Sequence, residues 1–365
     1  MRAAAIHVVI GTKAQTIKMA PVVLALIERG MRVRLVDTGQ HGDVTGGLRD
    51  AFGIPQPDVR LAPARNVSKM AAGLGWSIRL ASLAVQRHRL CTEVFGGLGG
   101  VALLHGDNAS TALGLLLARR AGMTAALVEA GLRSWSFAHP FPEEILRASL
   151  PRFCGLLYPP SLAAADNLRA MKTPGRIVET GANTVVDAMS RFLDFTALPE
   201  TQDYGLWNCH RIENLFHPAR LDRICSLALR AAESAPLRFV VDLPTRPRLR
   251  ASGWWDRLTA AGVEFVDLAP YPDFLRLLAG CRYAATDGGS IQEECAVLGI
   301  PCLLLRRHTE RSDGLGANAI MLDGLSRPED FFTRCERFRR PPSKPLHSPS
   351  AQIAKDLQGI LPEAS

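Results

Sequence analysis

The chain has 365 residues, 47% of them hydrophobic and 21% charged, with 31 Gly and 24 Pro, which excludes a disordered or collagen-like chain. Lys and Arg number 43 against 35 Asp and Glu, and the resulting +8 suits an anionic ligand such as a phosphate. Nucleic acid would need a concentrated basic face with interleaved aromatics, and aromatics are only 6% of the residues.

The chain opens on an apolar run, Ala3–Ile10, which holds a His and leads directly into Gly11-Thr12-Lys13. It reads as a buried strand rather than a signal peptide. Val33–Val36, Val101–Leu104 and Ala125–Val128 are further buried-strand candidates. Helical patterns such as Ile17–Arg29 and Ser110–Ala121 separate them, and Pro21 should start or kink the first helix. The second half repeats the theme. Gly205–Cys209, Arg238–Val241, Val263–Val266, Tyr283–Thr286 and Cys302–Leu305 read as strands, with helices such as His217–Ala232 and Phe274–Ala279 between them. Strands alternating with helices predict parallel sheets covered on both faces.

The expected fold is therefore α/β, with two doubly wound Rossmann-like domains and a central cleft. The first domain covers residues 1–183 and the second 184–345, with the link near Gly181–Ala188. After the proline-rich break Arg339–Pro345, Ile353, Leu357 and Ile360 share one face of a last helix. That helix, in residues 346–365, is expected to cross back to the first domain. No stretch approaches the about 18 apolar residues of a membrane span. The eight Cys include no CxxC pair and several have apolar neighbours, so they read as reduced, buried thiols of a cytosolic protein. A metal site is not indicated.

Several strands end in a titratable residue: Asp107, Glu129, His210 and Asp287. Each projects toward the carboxyl edge of its sheet, where ligands of such folds bind. Any one alone is as well explained as a turn former or helix cap. Pro142-Glu143-Glu144 reads as a helix start, with acids in the first turn. Asp287-Gly288-Gly289-Ser290 is a strand, a glycine turn and a helix start, able to hold a phosphate on backbone N–H groups. Glu293-Glu294 follow it as acceptors for ribose hydroxyls. His210-Arg211 sets a proton-shuttling imidazole beside a guanidinium. Gly96-Gly97-Leu98-Gly99-Gly100 precedes a strand instead of following one, and so is no dinucleotide loop.

Taken in order, these residues resemble a known family. Ile17-Lys18-Met19-Ala20-Pro21, Thr38-Gly39-Gln40-His41, His105-Gly106-Asp107, Val128–Arg133, Pro142-Glu143-Glu144, His210–Asn214, Ile291–Glu294 and Thr309-Glu310-Arg311 are similar to motifs of the non-hydrolysing UDP-N-acetylglucosamine 2-epimerases. The match runs from Gly11 to about Ile353. The resemblance implies a two-lobed fold of the GT-B glycosyltransferase type, a cytoplasmic homodimer, no cofactor and a UDP-sugar substrate. It also implies a reaction. UDP is eliminated across C1–C2 to a 2-acetamidoglucal, then adds back after reprotonation on the other face, interconverting UDP-GlcNAc and UDP-ManNAc.

By the same resemblance Asp107, Glu129 and Glu143 are the acid/base carboxylates, and His210 stands beside the departing diphosphate. Lys13, Lys18, Arg133, Arg211 and Arg311 are substrate-binding charges. Gly289 and Ser290 lie at the phosphates, and Glu294 binds the ribose. Gln40 and His41 match a segment of a second, activating UDP-GlcNAc site. The departures are specific. Lys13-Ala14-Gln15 stands where the family has Arg-Pro-Glu, and Gly288-Gly289-Ser290 where it has Ser-Gly-Gly. His139 precedes the Pro-Glu-Glu motif, and Asp242 replaces a His of the activator region, which predicts weakened activation. Release of free ManNAc, the same chemistry on a modified UDP-sugar, and glycosyl transfer are the alternative enzyme readings. A nucleotide-sugar sensor or a nucleic-acid binder is the non-enzymatic one.

Overall fold

The computed structural model describes residues 4–63, 70–137 and 142–361. The chain divides into two units, Met1–Arg191 with Pro345–Ser365, and Phe192–Lys344.

The first unit is built on a seven-stranded parallel sheet, β1 (Ala4–Ile10), β2 (Val33–Asp37), β3 (Val59–Arg60), β4 (Gly99–His105), β5 (Thr124–Val128), β6 (Leu156–Tyr158) and β7 (Arg176–Ile177), in the order β3-β2-β1-β4-β5-β6-β7. The central strands are buried and mostly apolar because helices cover both faces. Strand order reverses between β1 and β4, so the segments after Ile10 and His105 flank the switch point where ligands of such sheets bind. The helices that matter below are α1 (Lys13–Glu28), α2 (Ala109–Ala121), α3 (Glu143–Ser149) and α4 (Val185–Ser190).

Helix α1 begins earlier than the apolar pattern predicts and runs through Pro21. The reason is a capping box. Gln15 N donates to Thr12 Oγ1 at 3.2 Å, and Thr12 N donates to Gln15 Oε1 at 3.2 Å. Gln15 Nε2 also donates to His105 O at 3.0 Å, tying the start of α1 to the end of β4.

The second unit has six parallel strands, β8 (Gly205–Asn208), β9 (Leu237–Val241), β10 (Glu264–Asp267), β11 (Tyr283–Thr286), β12 (Cys302–Leu304) and β13 (Ala319–Met321), in the order β10-β9-β8-β11-β12-β13. Its reversal falls between β8 and β11, which places His210 and Asp287 at the switch point. Around it lie α5 (Pro218–Ala232), α6 (Tyr271–Ala279) and α7 (Gly289–Leu298). Trp207, Phe239, Tyr283 and Phe332 fill this unit's core.

The last helix, α8 (Pro349–Ile360), packs on α1 within the first unit. Ile353 and Leu357 are fully buried, whereas Ile360 is 41% exposed, because the expected face runs off the end of the helix. The boundary expected after residue 183 lies instead after Arg191, since α4 also packs on α1, and the return begins at Pro345 rather than 346. All eight cysteines are buried and free. Among the described residues no helix is long and apolar enough to cross a membrane.

Candidate active site

In the first unit the chemistry centres on Glu129, the residue that follows β5. It is 9% exposed and has φ of +62°, in the left-handed region that non-glycine residues avoid. Lys18 and Asn183 hydrogen-bond to it, and an imidazole stands beside them. Lys18 Nζ lies 2.5 Å from Oε2, Asn183 Nδ2 donates to Oε2 at 2.6 Å, and His105 Nε2 stands 3.2 Å away. Lys18 reaches it from α1 and is itself 2% exposed. Burying a lysine is costly unless it is paired, and Glu129 is the pair. Glu129 and Asn183 also line a narrow cavity with Val128, Tyr158 and Thr184.

A second set joins Asp107 to the start of α3. Asp107 Oδ2 accepts from Arg147 Nε, and Arg147 Nη1 stands 3.6 Å from Glu144. Glu144 is fully buried and accepts from Arg133 Nε at 2.6 Å, Ser134 N at 3.0 Å and Trp135 N at 3.0 Å. Arg133 therefore has its Nε committed to a protein carboxylate, with its guanidinium 4.2 Å from the Trp135 ring centre. Glu143, one residue earlier on α3, behaves differently. Its Oε2 is buried and accepts no hydrogen bond. Of the two first-turn acids, Glu144 builds the helix start and Glu143 keeps an uncommitted oxygen.

Lys13 opens α1, its backbone N–H 3.5 Å from His41 Nδ1, and burial lowers the His41 pKa. Gln40 Oε1 accepts from Ser110 Oγ at 2.7 Å, and Ser110 Oγ lies 2.7 Å from Thr38 Oγ1. Gln40 and His41 thus hold the loop after β2 against the starts of α1 and α2. The His139-Pro140-Phe141 segment lies outside the described residues.

The second unit is organised by Asp287, which is fully buried after β11. It accepts from His210 N at 3.0 Å, Arg211 N at 3.0 Å and Asn214 Nδ2 at 2.9 Å. Burial pushes this carboxyl up, but the His210 imidazole and these donors outweigh it and leave its pKa below the ordinary value. His210 Nδ1 lies 2.7 Å from Asn208 Oδ1 and 3.3 Å from Asp287 Oδ1. With Nδ1 engaged, Nε2 is left to face a ligand. Arg211 Nε donates to Asp287 O at 2.9 Å.

Helix α7 starts beside this cluster. A Cβ at Gly289 would stand 2.6 Å from Arg311 Nε, so the turn accepts only glycine there without movement. Ser290 follows in the first turn of α7. Arg311 pairs with Glu293 and lies 3.6 Å from Glu310. Glu294 is 2% exposed and accepts from Tyr271 Oη at 3.0 Å. Asp242 accepts from Thr245 N at 3.2 Å and Thr245 Oγ1 at 2.6 Å, so it shapes the turn after β9.

Sequence reasoning did not single out Asn183, Asn208 or Arg147, and it named Asn214 only as part of the motif that begins at His210. Each acts by holding a residue that was singled out, and only the fold brings them together.

A family model described as UDP-N-acetylglucosamine 2-epimerase matches residues 25–349. A Bacillus subtilis UDP-N-acetylglucosamine 2-epimerase is 31% identical over 337 residues, covering 89% of this chain and 84% of the relative. At the same 31%, a Pseudomonas aeruginosa UDP-2,3-diacetamido-2,3-dideoxy-D-glucuronate 2-epimerase covers 87% of this chain and 88% of its own. The crystal structure of the Methanocaldococcus jannaschii UDP-GlcNAc 2-epimerase with UDP-GlcNAc and UDP superposes with a TM-score of 0.82, at 23% identity, over 97% of this chain and 99% of that one. That likeness is one of fold.

Proposed function

The chain belongs to the UDP-N-acetylglucosamine 2-epimerase family, and from that membership we propose that it is an isomerase that inverts C2 of UDP-GlcNAc to give UDP-ManNAc. The observation that carries the chemistry is the state of the first unit's carboxylates. Glu129 is buried and oriented by Lys18 and Asn183, with the His105 imidazole beside it, and Glu143 keeps a buried oxygen without a hydrogen bond.

C2 of an N-acetylhexosamine adjoins no carbonyl, so its proton cannot leave by simple enolisation. Departure of UDP from C1 as the C2 proton is taken gives a 2-acetamidoglucal and UDP. Return of a proton to the opposite face of C2, with UDP re-adding at C1, gives the epimer. The reaction thus calls for a carboxylate on each face of the sugar and a donor at the leaving diphosphate. Asp107, Glu129 and Glu143 supply the first. His210 supplies the second, with Nδ1 fixed by Asn208 and Asp287 and Nε2 toward the phosphate. The N-terminus of α7 with Gly289 and Ser290, together with Arg211 and Arg311, holds the diphosphate, and Glu294 holds the ribose. Gln40 and His41 belong to an activator subsite in this reading, and the enzyme is a cytoplasmic homodimer, which sedimentation equilibrium checks.

The test is proton NMR with UDP-GlcNAc in D₂O. UDP-ManNAc carrying deuterium at C2 supports the reading, and free ManNAc with UDP replaces it by hydrolysis. A second reading, the same inversion on a carboxylated diacetamido UDP-sugar, is favoured by the 31% identity to the Pseudomonas relative. Turnover of that sugar but not of UDP-GlcNAc selects it.

A further inference from the structure

Arg306 follows β12 at the carboxyl edge of the second sheet. The residue is 6% exposed and its side chain 3%. Its Nη2 donates to Glu310 Oε2 at 2.8 Å. Its Nε and Nη1 are buried and donate to nothing. Buried donors are nearly always satisfied, and a guanidinium with idle N–H groups on both edges is an exception that calls for an acceptor.

Its surroundings say which acceptor. Glu310, which orients Arg306, has its Oε1 3.4 Å from where a Cβ on Gly289 would be, and Arg311 Nε lies 2.6 Å from the same point. The Arg306–Glu310 pair is therefore seated at the first turn of α7, a ten-residue helix whose N-terminal N–H groups favour an anion. Burial lowers the pKa of Arg306; the Glu310 carboxylate opposes this, and the guanidiniums of Arg211 and Arg311 add to it. Glu310 and Glu293 already pair with Arg306 and Arg311, and the idle edges of Arg306 and the helix N-terminus beside it still favour a further anion.

We propose that Arg306 is a diphosphate-binding residue, donating from Nε and Nη1 to phosphoryl oxygens of the nucleotide while Glu310 fixes the plane of its guanidinium. The proposal rests on the nucleotide-sugar reading above. It adds a contact that none of the sequence motifs assigned, one supplied by the strand next to β11 rather than by the glycine turn.

The experiment is calorimetric titration of uridine and UDP into the wild-type enzyme, Arg306→Lys, Arg306→Met and Glu310→Gln, with circular dichroism melts alongside. Arg306→Met should lose roughly 10–100-fold in UDP affinity with uridine affinity unchanged. Arg306→Lys should fall between, since it keeps charge but not the fork. Glu310→Gln should lose UDP affinity less than Arg306→Met does, again sparing uridine. Equal losses for uridine and UDP in a folded variant, or UDP affinity within twofold of wild type, overturn the proposal. Should the Arg306 variants not fold, a wild-type crystal structure with UDP decides. Phosphoryl oxygens within hydrogen-bond reach of Nε or Nη1 support the assignment, and both nitrogens farther than about 4 Å from every phosphoryl oxygen overturn it. Failure of the wild type to bind UDP at all is a different result, which removes the nucleotide-sugar reading and the proposal with it.

Discussion

The Cβ that Gly288 lacks would stand 3.0 Å from Cε1 of His210 and 3.3 Å from Thr286 Oγ1. The imidazole packs against the bare backbone of the turn that leads into α7. The only hydroxyl of the Gly288-Gly289-Ser290 turn stands at position 290. Gly288→Ser should therefore displace the ring by a few tenths of an ångström. Turnover should fall roughly tenfold, with UDP affinity changed less, because misplacing a catalytic group costs more than misplacing a binding one. Steady-state kinetics with a UDP titration checks this, and unchanged kcat counts against His210 acting at the leaving group.

Glu129 is a buried carboxylate oriented by Lys18 and Asn183. Glu129→Gln keeps its shape and removes its proton chemistry. Turnover should fall about 10²–10⁴-fold, with UDP binding largely intact, since the proposed reading gives the nucleotide to residues of the second unit. The measurement is deuterium incorporation at C2 together with UDP titration. Full exchange in the variant removes Glu129 from the acid/base set.

Lys18→Met tests the other half of that pair. The variant leaves a buried carboxylate without its cation, so both stability and turnover should drop. Losing one partner of a buried pair costs about 3–5 kcal/mol. The double variant Lys18→Met, Glu129→Gln should recover much of the stability and none of the turnover. Urea denaturation of the three variants reads the first, and the NMR assay reads the second.

His7 is fully buried on β1, with Nε2 3.1 Å from Gly99 O and its ring edge-on to Phe95. Burial lowers its pKa from 6.5, so the folded chain resists protonation where the unfolded chain accepts it. Below about pH 6.5 the unfolded state binds the extra proton, and stability falls as pH drops toward the folded value. Urea midpoints between pH 7.5 and 5 should decline in the wild type and decline less in His7→Gln. Parallel curves would refute it.

Asp356 on α8 accepts from Tyr158 Oη at 2.8 Å and Arg176 Nη2 at 2.7 Å. Burial and the Asp356 carboxylate both push the Tyr158 phenol up, which keeps it a donor. Asp356→Ala strands a buried hydroxyl, at a cost of about 1–3 kcal/mol. Its melting temperature should fall by several degrees with kcat unchanged, as scanning calorimetry and the NMR assay would show.

Much of the fold was legible because its central strands are continuous apolar runs and its helices carry amphipathic patterns. The strands that escaped notice are β3, β6, β7 and β13, of two or three residues each, too short for periodicity to register. The start of α1 was misplaced because the signal there is a polar capping box, Thr12 with Gln15, ahead of the apolar stripe. At the site, the residues that end strands stood out, since a charge after an apolar run is conspicuous. Glu144 and Glu143 look alike in sequence. One is fully buried under Arg133 and Arg147, and the other keeps an oxygen without a hydrogen bond, a difference that exists only after folding. Arg306 was invisible for the same reason, since an idle donor can be recognised only when its surroundings are known.

The return of α8 to α1 sets an order of events during synthesis. The chain leaves the first unit at Arg191, builds the whole of the second from Phe192 to Lys344, and only then supplies the helix that covers α1. On the ribosome the second unit can close as a contiguous stretch, while the part of α1 that α8 covers stays open until Ile353 and Leu357 emerge. A nascent chain stalled before Pro345 should therefore recruit chaperones to its oldest helix rather than to its newest.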